Sequence, residues 1–168
     1  GIGDHITVYK ANMIIPQIAE NLTQSGNLII PDVCPVCGGE AKIIKSNDVE
    51  SLYCMNPDCQ AKKIKAFTLF VSRDAMNIDG LSEMTLEKFI GCGFIREYAD
   101  IFHLDRYRDE IVTLEGFGDK SYNNLMNSVE QARHTTLPRV IYSLGIPNIG
   151  LSNAKMICKE YKNDLEKI

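Results

Sequence analysis

The chain has 168 residues, of which 45% are hydrophobic, and a formal net charge of −4. This composition is ordinary for a soluble protein, and no apolar run approaches the ~20 residues of a membrane-spanning helix. The net charge does not by itself indicate a nucleic-acid binder. Charge is uneven, however: residues 74–115 carry four basic and ten acidic residues, whereas residues 34–73 and 116–168 each have a small basic surplus. The acidic block is most simply a solvated face, and the basic surplus permits a phosphate-binding face.

The start of the chain predicts extended structure. Ile6 and Val8 alternate with more polar neighbours, which is typical of a half-buried strand. A second apolar run meets Pro16, as happens at the edge or end of a strand. The following residues, 21–32, are predicted to be a linker. Because two strands cannot bury a core alone, we predict that residues 1–32 are the end of a β domain and its linker.

Four cysteines form two close-spaced pairs. Cys34 and Cys37 are a C-x2-C pair, and Cys54 and Cys59 are a C-x4-C pair. Four thiolates in this arrangement can fill the tetrahedral shell of one structural zinc ion, and the glycine, asparagine and proline residues around them favour the tight turns required. We therefore predict a four-cysteine zinc finger over residues 33–65, stabilised mostly by its metal.

Two other interpretations of these cysteines stay open at this stage. A dithiol redox motif explains one C-x2-C pair but leaves the second pair unexplained. Two disulfides would need an oxidising compartment, and no signal peptide is visible. Cys92 and Cys158 fall outside the pattern, and Cys158 is predicted to be a small buried residue.

From about Ala66 onward, apolar residues recur at helical spacing and predict a mainly α-helical region over residues 66–168. These stripes form a core and by themselves indicate no function. They comprise Phe67, Phe70, Val71 and Ala75; Leu86, Phe89 and Ile90; Tyr122, Leu125, Met126, Val129 and Ala132; Leu137, Val140, Ile141 and Leu144; and Leu151, Ala154, Ile157, Cys158 and Tyr161.

Three similar short loops separate these helical stripes, at residues 78–82, 114–118 and 146–150. In each, an apolar residue that can anchor the loop in the core stands between small residues, or between Asn and Gly in the third. A bare loop leading into a helix exposes successive N–H groups at the positive end of the helix dipole, which suits a phosphate. One such loop alone is most simply an ordinary turn, but three in series predict helix-hairpin-helix motifs. Lys120 and Lys155 fall early in the following helices, where a cation could meet the same phosphate.

The order of these modules resembles the C-terminal part of bacterial NAD-dependent DNA ligases. Four stretches carry the resemblance: CPVCG at 34–38, FVSRDAMNIDGL at 70–81, LEGFGDKS at 114–121 and LGIPNIG at 144–150. Residues 3–17 also resemble the last strands of that family's oligonucleotide-binding (OB) domain. The resemblance therefore extends over nearly the whole chain.

The resemblance implies a multi-module, mainly α fold: the end of an OB fold and linker (1–32), a four-cysteine zinc finger (33–65) and a DNA-binding domain with three helix-hairpin-helix motifs and a truncated fourth (66–168). It also implies a parent enzyme that seals nicks in duplex DNA during replication and repair, and that works in the cytoplasm at the nucleoid. Zinc belongs to this fragment, whereas NAD and Mg²⁺ serve the parent enzyme. The partners implied are nicked duplex DNA of any sequence and the remaining ligase domains, with no membrane.

Backbone amides of the three loops are the expected phosphate contacts, and Lys10, Lys62, Lys63 and Lys65 could add others. The candidate DNA-binding residues are Gly80, Leu81, Ser82, Gly116, Phe117, Gly118, Lys120, Asn148, Ile149, Gly150 and Lys155.

The chain departs from the family at several points. Ser82 stands where the family usually has glycine, so the first loop is expected to hold phosphate less well, and Leu69 stands where the family often has histidine. No adenylation motif of the Lys-x-Asp-Gly type occurs, so the fragment alone is predicted to be inactive. The alternative is a helix-hairpin-helix module of another repair factor, binding DNA or a protein. The acidic block over 74–115 would suit a basic protein partner.

Overall fold

The structure is a computed structural model that describes residues 1–26, 28–46 and 48–168. These residues divide into two compact units, 1–56 and 57–168.

Residues 1–56 contain two antiparallel β-hairpins. In the first, β1 (Ile6–Ala11) pairs with β2 (Ile15–Asn21), and in the second, β3 (Ala41–Ser46) pairs with β4 (Val49–Cys54). Three residues, 12–14, join β1 to β2, and two of them, 12 and 13, have the positive φ that tight hairpin turns use.

The prediction that the first strand is half-buried is wrong. Both faces of β1 are solvent-exposed in residues 1–56, and Ile6 and Val8 have exposed fractions of 43% and 54%. Alternation selects which side chains share a face, but a two-stranded ribbon supplies no second layer to cover that face. Residues 22–26 and 28–32 contain no helix or strand, while Asn27, inside the predicted linker, lies outside the described residues.

Residues 57–168 are helical. Two 3₁₀ segments, Tyr98–Tyr107 and Leu165–Lys167, accompany the α-helices. The α-helices are α1 (Gln60–Val71), α2 (Glu83–Gly91), α3 (Arg108–Ile111), α4 (Asp119–Ala132), α5 (Leu137–Ser143) and α6 (Leu151–Glu160).

Two features of this helical region differ from the sequence prediction. Helix α1 begins at Gln60 rather than near Ala66, because Ile64 extends its buried stripe by one turn past the exposed lysines. The 3₁₀ segment before α3 has no counterpart in the prediction. Its buried Ile101 and Leu104 lie on either side of a kink at His103, where the backbone leaves helical geometry.

One large apolar core holds α1 to α4 together, and a smaller one joins α5 to α6. Aromatic rings contribute to the large core, where Phe70 stacks on Tyr98 with ring centroids 4.3 Å apart. The buried apolar residues of the small core are Ile141, Ala154 and Cys158, which confirms the prediction of a buried Cys158. Within the part of the chain that the structure describes, no helix has both the length and the hydropathy that spanning a membrane requires.

Helix α4 is central to the large core, so shortening one of its buried side chains should destabilise the helical region. Leu125 is fully buried, and Leu125→Ala should lower the free energy of unfolding by about 2–5 kcal/mol through lost transfer energy and a residual cavity. Urea denaturation followed by far-UV circular dichroism measures this. Met156→Ala, at a residue with an exposed fraction of 66%, is the control and should change stability by no more than about 0.5 kcal/mol. Equal losses in the two variants would contradict this assignment of the core.

Candidate metal centre and phosphate-binding loops

The four paired cysteines lie together. The Sγ atoms of Cys34, Cys37, Cys54 and Cys59 are all within 4.8 Å of one another. Zinc–sulfur bonds of ~2.3 Å in a tetrahedron would place sulfurs about 3.8 Å apart, and the measured Cys37–Cys54 Sγ–Sγ distance is 3.6 Å. That distance is far longer than the ~2.05 Å of a disulfide bond. The cluster could therefore hold one metal ion, and four thiolates are a donor set that fits zinc.

Backbone hydrogen bonds shape the first cysteine pair. The N–H of Cys34 donates to the Gly39 carbonyl at 2.7 Å, and the N–H of Gly38 donates back to the Cys34 carbonyl at 2.9 Å. The Gly39 N–H approaches Cys37 Sγ at 3.4 Å. A Cβ atom on Gly39 would lie 3.0 Å from Cβ of Asn56, so the second cysteine turn approaches closely only because residue 39 has no side chain.

The surroundings of the Cys34 sulfur favour negative charge. N–H groups of Cys37 and Val36 lower the pKa of the Cys34 thiol, which favours the thiolate that a metal ion binds. Cys59 is buried and occupies the N-cap of α1, at the positive end of the helix dipole.

The three loops share one backbone pattern. Each contains a residue with positive φ, followed by an apolar residue and then by the N-cap of a helix. The positive-φ residues are Gly80 (φ 92°), Gly116 (φ 85°) and Asn148 (φ 64°). The N-caps are Ser82, Gly118 and Gly150, which start α2, α4 and α6. We call residues 78–82, 114–118 and 146–150 loops 1, 2 and 3.

The apolar residue of each loop packs inward, as the sequence predicts. Leu81 is buried in the large core. Phe117 is half-buried and its ring centroid lies 5.3 Å from that of Phe89. Ile149 packs against the small core between α5 and α6. These contacts anchor the loops while their backbones stay at the surface.

The helix start after loop 1 differs from the other two. Ser82 Oγ accepts a hydrogen bond from the N–H of Thr85 at 3.2 Å, so the side chain satisfies one of the helix-start amides itself. Gly118 and Gly150 have no side chain that could do so. This difference supplies a physical reason for the expectation that loop 1 holds phosphate less well.

Cations and carboxylates also distinguish the loops. The first residues of α2 and α4 are acidic, and each is paired: Glu83 with Lys65 at 2.8 Å and Asp119 with Arg108 at 2.7 Å. Helix α6 starts with Leu151 instead. Lys120 and Lys155 are exposed, and neither has an ion-pair partner among the described residues.

Loops 1 and 2 border one cavity of ≈ 370 Å³. Thr85 of α2 and Ser121 of α4 also line it, so the starts of two helices face the same space. The structure thus brings the candidate residues of loops 1 and 2 together, while those of loop 3 lie outside this cavity.

Two residues that the sequence reasoning missed hold the loops in place. Ser128 Oγ, buried on α4, accepts a hydrogen bond from the Asp79 N–H at 2.8 Å and approaches the Asn77 carbonyl at 3.4 Å. The Arg139 guanidinium on α5 donates to the carbonyls of Ala75 and Arg73. Their partners are about 50 to 65 residues away in the chain, so no local pattern marks them.

The chain resembles proteins of one name along its whole length. The DNA ligase of Lachnoclostridium phytofermentans is 64% identical over 168 residues, which are 100% of this chain and 26% of that protein. The DNA ligase of Ruminiclostridium cellulolyticum is 61% identical over the same span, and that of Petrotoga mobilis is 38% identical over 166 residues. This chain is homologous to part of a DNA ligase.

The comparison has two limits that bear on function. The chain spans about a quarter of the length of the DNA ligases that it matches. No family model matches the chain. The resemblance to a DNA ligase is confirmed.

One metal ion should bind per chain, and Cys54→Ser should abolish this binding because it removes one of the four sulfurs. The substitution should loosen residues 34–65 and leave the helices beyond Lys65 largely folded, since their apolar cores do not include the cluster. Elemental analysis of protein purified without chelator gives the stoichiometry, and proteolysis gives the local loosening.

Cys92→Ser is the matched control, because Cys92 is exposed and outside the cluster. It should leave the metal content unchanged. Wild-type protein without metal, or an isolated disulfide between cluster positions, would contradict the assignment of a metal centre.

Proposed function

We propose that this chain is the DNA-binding portion of an NAD-dependent DNA ligase, an enzyme that seals nicks in duplex DNA during replication and repair. The observation that carries the proposal is the threefold repetition of one loop backbone: a positive-φ residue, an inward apolar residue and a helix start. We interpret loops 1 to 3 as helix-hairpin-helix motifs. Homology to DNA ligases supports duplex DNA as the ligand.

In this proposal the loops bind phosphates through their backbone amides. The N–H groups at a helix start have no partner within the helix and point outward, beside the positive end of its dipole. Phosphate contacts fix the position of a protein on DNA but carry no sequence information. A ligase needs this property, because it must accept a nick in any sequence.

Lys120 and Lys155 add charge to the second and third motifs. Each lies in the first half of the helix that follows its loop and is exposed. At the helix starts that follow loops 1 and 2, the ion pairs Lys65–Glu83 and Arg108–Asp119 offset two carboxylates that would otherwise repel the backbone of DNA.

The remaining modules have supporting roles. Zinc held by the four cysteines would stabilise residues 33–65, a finger that buries few other side chains. Residues 1–32 would be the end of an OB fold, and residues 66–168 the helix-hairpin-helix domain. NAD and Mg²⁺ would be bound by other domains of the parent enzyme, which works in the cytoplasm at the nucleoid.

DNA binding should be weak, indifferent to sequence and strongly reduced by salt, with dissociation constants near ~10⁻⁴–10⁻⁶ M at physiological salt. Gly116→Val should weaken binding about tenfold, the worth of one hydrogen bond to a charged group. A β-branched residue cannot adopt φ 85° without strain, so the loop would lose the conformation that presents its amides. Fluorescence anisotropy with a labelled duplex at several salt concentrations measures both effects.

Gly93→Val is the matched control. Gly93 has φ 78°, and a Cβ atom there would meet no atom within 4 Å, as at Gly116, but it lies outside the three loops. It should suffer the same backbone strain and keep wild-type affinity for DNA. A strong preference for one base sequence, or an equal loss of affinity in both variants, would refute binding by loop amides.

The chain alone should not react with NAD. Self-adenylation needs a lysine in a nucleotide pocket, and no Lys-x-Asp-Gly motif occurs in the sequence. Incubation with NAD labelled on its adenylate, with a full-length DNA ligase as positive control, should leave this chain unlabelled. In the parent enzyme, deleting residues 66–168 should reduce nick sealing far more than adenylation. A covalent adenylate on any lysine of this chain would disprove the assignment.

A further inference from the structure

One side chain joins the helix before loop 3 to the segment before loop 1. Arg139 lies in α5, and its Nε donates to the carbonyl of Ala75 at 2.8 Å. Its Nη2 donates to the carbonyl of Arg73. Both carbonyls belong to the turn between α1 and loop 1. The planar guanidinium therefore fixes the direction as well as the distance between α5 and this turn.

Apolar packing between α5 and α1 is limited. Val140 reaches the edge of the large core, and Leu69 Cδ2 lies 3.1 Å from the position that a Cβ on Gly145 would occupy. The buried residues of the small core, by contrast, all lie within α5 and α6. Since apolar contacts are not directional, the hydrogen bonds of Arg139 add a directional restraint to this part of the chain.

Loops 1 and 2 are held in fixed positions relative to each other, because both are attached to α4. Loop 1 is fixed to α4 by the hydrogen bond from Asp79 to Ser128, and loop 2 leads directly into α4. The contacts of Arg139 attach α5, the helix before loop 3, to the turn before loop 1.

We propose that Arg139 is a positioning residue, which holds loop 3 at a fixed distance and angle from loops 1 and 2 so that all three contact one duplex. The inference rests on the proposed function. Phosphates along a duplex have fixed spacings, so binding by several loops exceeds binding by one only when the loops are held at matching positions. Arg139 itself contacts no DNA in this proposal, because its donors bind backbone carbonyls.

Arg139→Lys tests this role because lysine keeps the charge but cannot bond two carbonyls in a planar fork. It should weaken duplex binding about tenfold through lost cooperation between the loops, and it should flatten the salt dependence because fewer phosphates are contacted at once. A direct phosphate contact would instead survive in the lysine variant, so wild-type affinity in Arg139→Lys overturns the proposal.

Arg73→Gln is the matched control for charge. It removes one exposed cation from the same turn and leaves the carbonyl that Arg139 binds. It should reduce affinity less than Arg139→Lys does. Because Arg139→Lys keeps the net charge, a loss in that variant no larger than the loss in Arg73→Gln would be no more than the effect of one surface cation, and the proposal would fail.

A second measurement needs no DNA. Spin labels on unnatural amino acids at Asn127 of α4 and Met156 of α6 would spare the cysteines, and both positions are exposed. The distance distribution should be narrow in the wild type and broad in Arg139→Lys, with the helical circular dichroism unchanged. An unchanged distribution overturns the positioning role. Failure of the wild type to bind duplex DNA would instead refute the proposed function, and the spin-label distances would still decide whether Arg139 positions loop 3.

Discussion

Packing around α4 is the constraint on which the arrangement of residues 57–168 depends. The helix begins at loop 2, and loop 1 lies against its middle, where a Cβ atom on Gly80 would come within 3.4 Å of the Leu125 side chain. Ser128, one turn further along, bonds the backbone of loop 1 directly. Helix α4 thus fixes the position and orientation of both surface loops. Apolar burial alone would not fix their orientation, because it is not directional.

The three loops use the same backbone but not the same electrostatics. Loops 1 and 2 carry acidic residues at the helix start, each held by a cation from the helix before it. Loop 3 has an apolar residue there, and Lys155 follows one turn later. The three loops therefore repeat a backbone shape, while the charges at the helix starts differ between them. The net charge does not itself favour a phosphate-binding surface, because the acidic residues are concentrated in 74–115, the stretch that contains loop 1 and the start of loop 2. The case for phosphate binding therefore rests on the backbone of the loops.

Much of the candidate site follows from local sequence, because cysteine spacing and the order of a small residue before an apolar residue are local signals. Gly80, Gly116 and Asn148 all have the positive φ that their residue types favour. Ser128 and Arg139 could not be found in this way, since they stand at ordinary helical positions and their partners are distant in the chain. Strand β1 shows a different limit of local patterns. The alternation of Ile6 and Val8 indicates that they share one face of the strand, but it does not indicate whether another element covers that face. The start of α1 at Gln60 was not predicted, because three lysines at 62, 63 and 65 surround Ile64 and hide the helical spacing of its buried residues.

The small core between α5 and α6 has a consequence for the energetics of the native state. Its buried apolar residues are Ile141, Ala154 and Cys158, and they are separate from the large core. Because few apolar residues are buried there, we expect this pair of helices to open without global unfolding, at a lower free energy than the rest of the domain. Loop 3 lies between those two helices, so any ligand that binds it in its closed form also suppresses that opening. Affinity at loop 3 and the local stability of α5 and α6 are for this reason thermodynamically linked.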